Sequence, residues 1–168
     1  MLILGIDPGL NATGYGIIEN NNLGLKFINA GFIKTSPKDN IVLRLLKIYK
    51  DLSDIVAKYK LNAIVLEKLY AHYKHPLTAC LLGHARGIIC LVSAQNNIKL
   101  IEYGATRIKK SITGKGSASK QQVQYMVLNI LGLKYQKDIS YDASDAISLA
   151  LAHFYISKNE DKLSINNI

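Results

Sequence analysis

The chain has 168 residues, with 21 Lys+Arg against 12 Asp+Glu, giving a formal charge of +9. Hydrophobic residues make up 49% of it, which excludes a disordered, acidic or low-complexity chain. At this length one domain is expected, burying roughly 68–70% of the unfolded chain's surface. Cys80 and Cys90 form neither a metal-binding spacing nor a disulfide framework. No unbroken apolar run approaches the about 18 residues of a membrane span, and the start lacks a basic signal region. A soluble, cytoplasmic protein without a membrane partner is therefore expected. The charge admits a polyanionic partner, although a composition rich in Lys, Ile and Asn accounts for part of it.

In chain order, Leu2 to Asp7 is an apolar run stopped by Asp-Pro-Gly and reads as a buried strand. Gly14 to Glu19 and Leu25 to Lys34 are further strands, joined through Asn20-Asn21-Asn22 in an antiparallel meander. From Asp39 to Lys60, Val42, Leu45, Leu46, Tyr49, Leu52 and Val56 keep a helical period, with Arg44, Lys47, Lys50 and Asp54 opposite. Ala63 to Glu67 reads as a central strand buried on both faces. Pro76 opens a helix running to Gln95, in which Gly83 and Gly87 would admit a second helix. A strand at Ile98 to Glu102, a helix around Ala105 to Ser111, a helix capped by Ser117 or Ser119 and a last helix from Tyr141 to Ile156 follow. Residues 1–157 make a single domain, and the polar 158–168 are expected to be a flexible tail. The order fits a mixed five-stranded α/β sheet flanked by helices.

Two central strands end on carboxylates, Asp7 and Glu67, and ligand sites in open α/β sheets gather at such ends. Asp142 and Asp145 stand on one face of the first turn of the last helix. Taken singly, Asp7 is a turn residue and the Asp pair a solvated helix cap. Taken together, four acids from three convergent segments point to Mg²⁺, which prefers oxygen ligands and shares its waters with phosphates. Two ions roughly 4 Å apart would stabilise both the attacking and leaving oxygens of an in-line displacement.

Gly5-Ile-Asp7-Pro-Gly9, Thr13-Gly-Tyr-Gly16, Leu66-Glu67, Gly83-His-Ala-Arg-Gly87, Gly114-Lys-Gly-Ser-Ala118 with Lys120, Gln122-Val-Gln124 and Asp142-Ala-Ser-Asp145-Ala146 resemble, in order and spacing, the RuvC family of Holliday junction resolvases. The resemblance covers residues 1 to about 157. It implies a ribonuclease H-like fold, a homodimer and Mg²⁺-dependent paired nicking of four-way DNA junctions in recombination and repair. The products would carry 5′-phosphate and 3′-hydroxyl ends, and Mn²⁺ would substitute for Mg²⁺. Asp7, Glu67, Asp142 and Asp145 become the metal ligands, and RuvA and RuvB become partners in branch migration. Some members have His where Asp142 stands. Lys109 and Lys120 match positions used at the scissile phosphate.

From Gly104 to Lys120 the chain carries Arg107, Lys109, Lys110, Lys115 and Lys120 without an acid. Such a segment is either a solvated loop or a phosphate-binding strip. Lys115-Gly116 breaks the P-loop pattern, so a nucleotide site there is discounted. In Tyr70-Ala-His-Tyr-Lys74-His75, aromatic and basic residues follow a proposed catalytic acid. Tyr70, and less so Tyr73, would stack on unpaired bases with Lys74 beside them; the family often has Phe at the position of Tyr70. His72 and His75 lack further zinc ligands nearby. His84, His153, Cys80 and Cys90 are read as packed helix residues. The alternatives are a ribonuclease H-fold enzyme acting on RNA or a hybrid, and a non-catalytic junction binder. A half-domain of a sugar kinase or chaperone ATPase is not expected, since such proteins need a second lobe.

Overall fold

The computed structural model describes residues 1–21, 23–69, 76–133 and 141–165; the side chains of 76, 141, 142 and 161–165 lie outside the description. Five strands, β1 (Leu2–Asp7), β2 (Ala12–Asn21), β3 (Gly24–Lys34), β4 (Ala63–Glu67) and β5 (Lys99–Tyr103), form one sheet in the order β3-β2-β1-β4-β5. The expected meander pairs β1, β2 and β3 antiparallel. β4 lies parallel to β1, and β5 parallel to β4. Parallel neighbours need crossovers, supplied by α1 (Ile41–Lys58) before β4 and α2 (Pro76–Gln95) before β5. Three further helices follow, α3 (Ala105–Thr113), α4 (Lys120–Ile130) and α5 (Tyr141–Ile165).

Strand alternation divides the core into two layers. Ile3, Ile18 and Val65 pack with α3, α4 and α5, whereas Leu4, Ile6, Ile17, Ile64 and Leu66 pack with α1 and α2. In this alternation Gly5 and Asp7 share the face of Ile3, and Glu67 shares the face of Val65. Both strand-end acids are thereby directed toward α3 and α5 before any helix contact is considered.

The helix ends are closed locally. The Asn40 side chain accepts the Leu43 N–H at the start of α1. Ser119, not Ser117, caps α4 and forms a reciprocal pair with Gln122. Gly114 ends α3 in the left-handed conformation with φ 78°, where a side chain would be strained.

Three expectations are corrected. Val42 and Leu46 are exposed, and α1 is seated instead through Ile48, Leu52 and Val56. His84, Cys80 and Cys90 are exposed as well. α2 carries apolar residues on every side, so periodicity did not reveal that the stripe Ala85, Ile89 and Val92 is the one that sits inward. Averaged rather than unbroken, its residues Leu77–Gln95 are long and apolar enough to cross a membrane by length and composition, with mean hydropathy 1.6, and 22% of them are buried. The last helix also outruns its expected end at Ile156. It continues to Ile165, and Glu160 within it accepts a hydrogen bond from Arg107 at 2.6 Å.

α5 crosses β1 and β2 at very short range. A Cβ built on Gly5 would stand 1.9 Å from the Ala146 carbonyl oxygen, and one on Gly16 would stand 2.7 Å from the Ile147 nitrogen. At Gly5 the obstacle is backbone, and at Gly16 the Ile147 side chain (Cγ1, 2.6 Å) stands with its backbone, so relief requires moving the helix. Gly5→Ala and Gly16→Ala are each expected to destabilise the protein by about 1–3 kcal/mol or more, with Gly5→Ala the worse. Urea unfolding of the two variants checks this, and equal or wild-type midpoints would contradict the close approach.

Candidate active site

The register brings the two strand-end acids together. Ile6 of β1 pairs with Leu66 of β4, so Asp7 and Glu67 are the next residues on adjacent parallel strands. The backbone after Asp7 is tied down: the Thr13 hydroxyl donates to the Gly9 carbonyl at 2.7 Å, and Thr35 Oγ1 donates to the Leu10 carbonyl at 2.5 Å. Arg44, assigned to the solvated face of α1 by its period, instead donates to Thr35 Oγ1 at 2.9 Å and to Asn11. It braces the loop that follows the first acid.

A cleft of about 300 Å³ opens at these strand ends. Asp7, Glu67, Lys109, Lys120 and Asp145 line it, with Ile108, Val123 and Leu149 forming its apolar floor. Five of the six residues expected to carry chemistry thus share one cavity. Asp142 belongs to the first turn of α5 by its backbone, while its side chain lies outside the described residues. Ser148, which the sequence reading passed over, also lines the cleft. It stands one turn after Asp145, and its hydroxyl donates to the Asp145 carbonyl at 2.6 Å. Helical spacing from Asp145 was the signal that could have found it.

The electrostatics favour a cation. The Glu67 carboxyl is pushed above its ordinary range, first by the solvent that the cleft walls take from it and then by the negative charge of Asp145. Lys109, Arg86 and Lys120 pull it back without cancelling the rise. Lys120 forms an ion pair with Asp145. Among the described residues no three metal-type side chains form a closed ligand set. The arrangement is an open group of carboxylates, which suits a hard cation that keeps its waters.

The acid-free segment is divided by its own helix. Lys109 faces the cleft, whereas Lys110 and Lys115 are exposed and are not among the cleft residues. Arg107 turns toward a second depression with Lys68, Glu102 and Thr106, lies over the Tyr103 ring at 5.1 Å and pairs with Glu160. Acids distant in sequence therefore meet two of the five cations. His153 is packed as expected, with Nδ1 2.9 Å from the Tyr103 hydroxyl; burial lowers its pKa. Tyr70, His72, Tyr73, Lys74 and His75 lie outside the described residues.

A carboxyl raised in the folded state is penalised when charged. Its cost is absent below the unfolded pKa, near 4.5, and grows as pH rises through the folded value. Glu67→Gln is therefore expected to raise the melting temperature of the metal-free protein at neutral pH, with the gain vanishing below that value. Melting curves in chelator at both pH values check the sign.

A family model described as Crossover junction endodeoxyribonuclease RuvC matches residues 3–153. The chain is 44% identical over 161 residues to the protein of that name from Ehrlichia ruminantium strain Gardel, covering 94% of this chain and 99% of the other. It is 41% identical over 157 residues to the one from Rhodopirellula baltica, covering 94% and 88%. The Thermus thermophilus RuvC structure superposes with a TM-score of 0.86 at 26% identity, covering 95% of this chain and 97% of that one. A T. thermophilus RuvC in complex with Holliday junction substrate shares the fold, with a TM-score of 0.84 at 24% identity over 94% and 95% of the two chains. With its ribonuclease H-like α/β fold, and with sequence similarity over nearly its whole length, the chain belongs to the RuvC family of crossover junction endodeoxyribonucleases.

Proposed function

We propose that the protein is an endonuclease that resolves four-way DNA junctions by paired, symmetric nicks in recombination and repair, leaving 5′-phosphate and 3′-hydroxyl ends. The observation that carries the reading is the single cleft in which Asp7, Glu67 and Asp145 face Lys109 and Lys120. Carboxylates that crowd one another alongside fixed ammonium groups suit a phosphodiester backbone held beside cations. Asp7, Glu67, Asp142 and Asp145 would hold Mg²⁺, two ions per site, with Mn²⁺ able to substitute. Bound Mg²⁺ would supply the charge that activates water and stabilises the leaving oxygen. Lys109 projects from α3 into the cleft and places its ammonium where negative charge develops on the phosphate. Lys120, paired with Asp145, stands beside the carboxylates and would contact the same phosphate. Arg107, Lys110 and Lys115 contact the backbone farther out, and Tyr70, Tyr73 and Lys74 meet the unpaired bases at the junction centre.

Two copies would act together, since symmetric nicks need two sites. The outer side of α2 supports this pairing. Leu77, Leu81 and Leu91 are exposed, at 79%, 42% and 47%. A Cβ at Gly83 or Gly87 meets nothing within 4 Å among the described residues, so packing within the chain does not explain the two glycines. The working unit is then a cytoplasmic homodimer of a single domain whose α5 carries on past residue 157 to Ile165, with RuvA and RuvB as its branch-migration partners.

Asp7→Asn and Glu67→Gln are expected to abolish cleavage of a labelled four-way junction while leaving its binding intact. Cleavage at the wild-type rate by either variant would remove the carboxylate assignment, and cutting of an RNA–DNA hybrid in preference to the junction would redirect the substrate. Lys109→Ala is expected to slow single-turnover cleavage by about 10²-fold or more with little loss of affinity. Junction affinity should fall steeply with salt in proportion to the phosphates contacted. A flat salt response would contradict the basic surface.

A further inference from the structure

Arg86 is an unusual residue for its helix. It sits within the apolar α2, on the layer opposite the carboxylate cleft, and its side chain is only 12% exposed. A guanidinium this buried is costly unless its donors are used. One terminal nitrogen donates to the main-chain carbonyl of Glu67 at 2.7 Å, and the other pairs with the Glu102 carboxylate of β5. The N–H of Lys68, in the same peptide group as that carbonyl, donates to the Tyr103 carbonyl at 2.8 Å. The peptide unit that ends β4 is thus held at both its polar atoms, by α2 on one and by β5 on the other.

We infer that Arg86 is a positioning residue for the nuclease reaction, fixing the Glu67 backbone so that the carboxylate is presented to the cleft from a set angle. The inference deepens the proposed function and rests on it. A strand end without such support is free to fray, because the ladder stops there and the next residues leave the sheet. Arg meets this need better than Lys, since its planar fork reaches two acceptors in fixed directions, whereas an ammonium is a compact point charge. The same residue ties the helix assigned to subunit pairing to the acid assigned to catalysis. Displacement of α2 would consequently be felt at Glu67 without any change in the residues that line the cleft.

The test compares the full chain with Arg86→Lys, which keeps the charge and loses the fork. Four quantities are read: melting temperature, junction affinity without divalent cation, Mn²⁺ affinity without DNA, and single-turnover cleavage at saturating junction over a range of Mg²⁺. The expected result is near-wild-type folding and junction affinity, Mn²⁺ binding weakened several-fold, and cleavage slowed by about 10- to 100-fold, the scale of a small misplacement at a reacting centre. Wild-type Mn²⁺ binding and cleavage would overturn the inference, as would a folded variant whose junction affinity falls in parallel with its cleavage. If Arg86→Lys does not fold, Glu102→Gln carries the test, because it removes the charge that anchors the guanidinium and keeps an acceptor. Weaker Mn²⁺ binding with unchanged junction affinity then supports the role, and wild-type behaviour in both Mn²⁺ binding and cleavage overturns it. If the wild-type chain cuts no junction, the proposed function fails, while the Mn²⁺ titration still reports whether Arg86 places Glu67.

Discussion

The distance between α5 and the sheet governs everything else in this molecule. Gly5 and Gly16 remove the side chains that would hold the helix away, and Ala143, Ala146 and Ala150 form its buried small-residue surface. Because the obstacle at Gly5 is backbone, the approach there is set by main chain against main chain, the least deformable kind of contact. Asp145 rides on this helix and reaches the strand-end acids only because the helix lies so close. One missing methyl group in β1 thus decides whether a carboxylate from the C-terminal part of the chain enters the cleft.

That closeness has an electrostatic consequence. Acids brought together over a floor of Ile108, Val123 and Leu149 lose solvent and repel one another, and Glu67 shows both effects. Folding alone does not neutralise this cluster. Lys120 answers Asp145 from the first position of α4, and Lys109 answers from α3. The free protein therefore holds its carboxylates in a strained truce with its own lysines, and cations and phosphates from outside would complete the charge balance. The fold tolerates the cost because the two core layers, each built on strands fully buried at their centres, supply the stabilisation elsewhere.

The same division into layers explains where local reasoning succeeded and where it failed. Strand alternation and register depend on single residues and their nearest neighbours, so Asp7 and Glu67 could be paired in advance from the ends of two apolar runs. The cap at Ser119 and the first turn of α5 are local in the same sense. The orientation of α2 is not local. Apolar residues occur on every side of it, and only docking on the sheet and against α1 decided that Ala85, Ile89 and Val92 turn inward while His84, Cys80 and Cys90 turn outward. Arg44 and Arg86 were equally hidden, since their partners lie in other segments, Thr35 and Asn11 for one and Glu67 and Glu102 for the other.

By itself the amino-acid sequence determined the order of the elements, the mixed sheet, the family and the acids that end β1 and β4, because hydrophobic period, turn chemistry and motif spacing are written along the chain. It also determined the +9 charge, but not its distribution. Tertiary structure decided that Arg107 meets Glu160 and Lys120 meets Asp145, so a segment free of acids in sequence is not free of them in space. It decided, too, that Lys109 faces the carboxylates while its neighbour Lys110 does not. Charge is a sum over residues and is read from composition, whereas a field depends on separations, and separations exist only once the chain has packed.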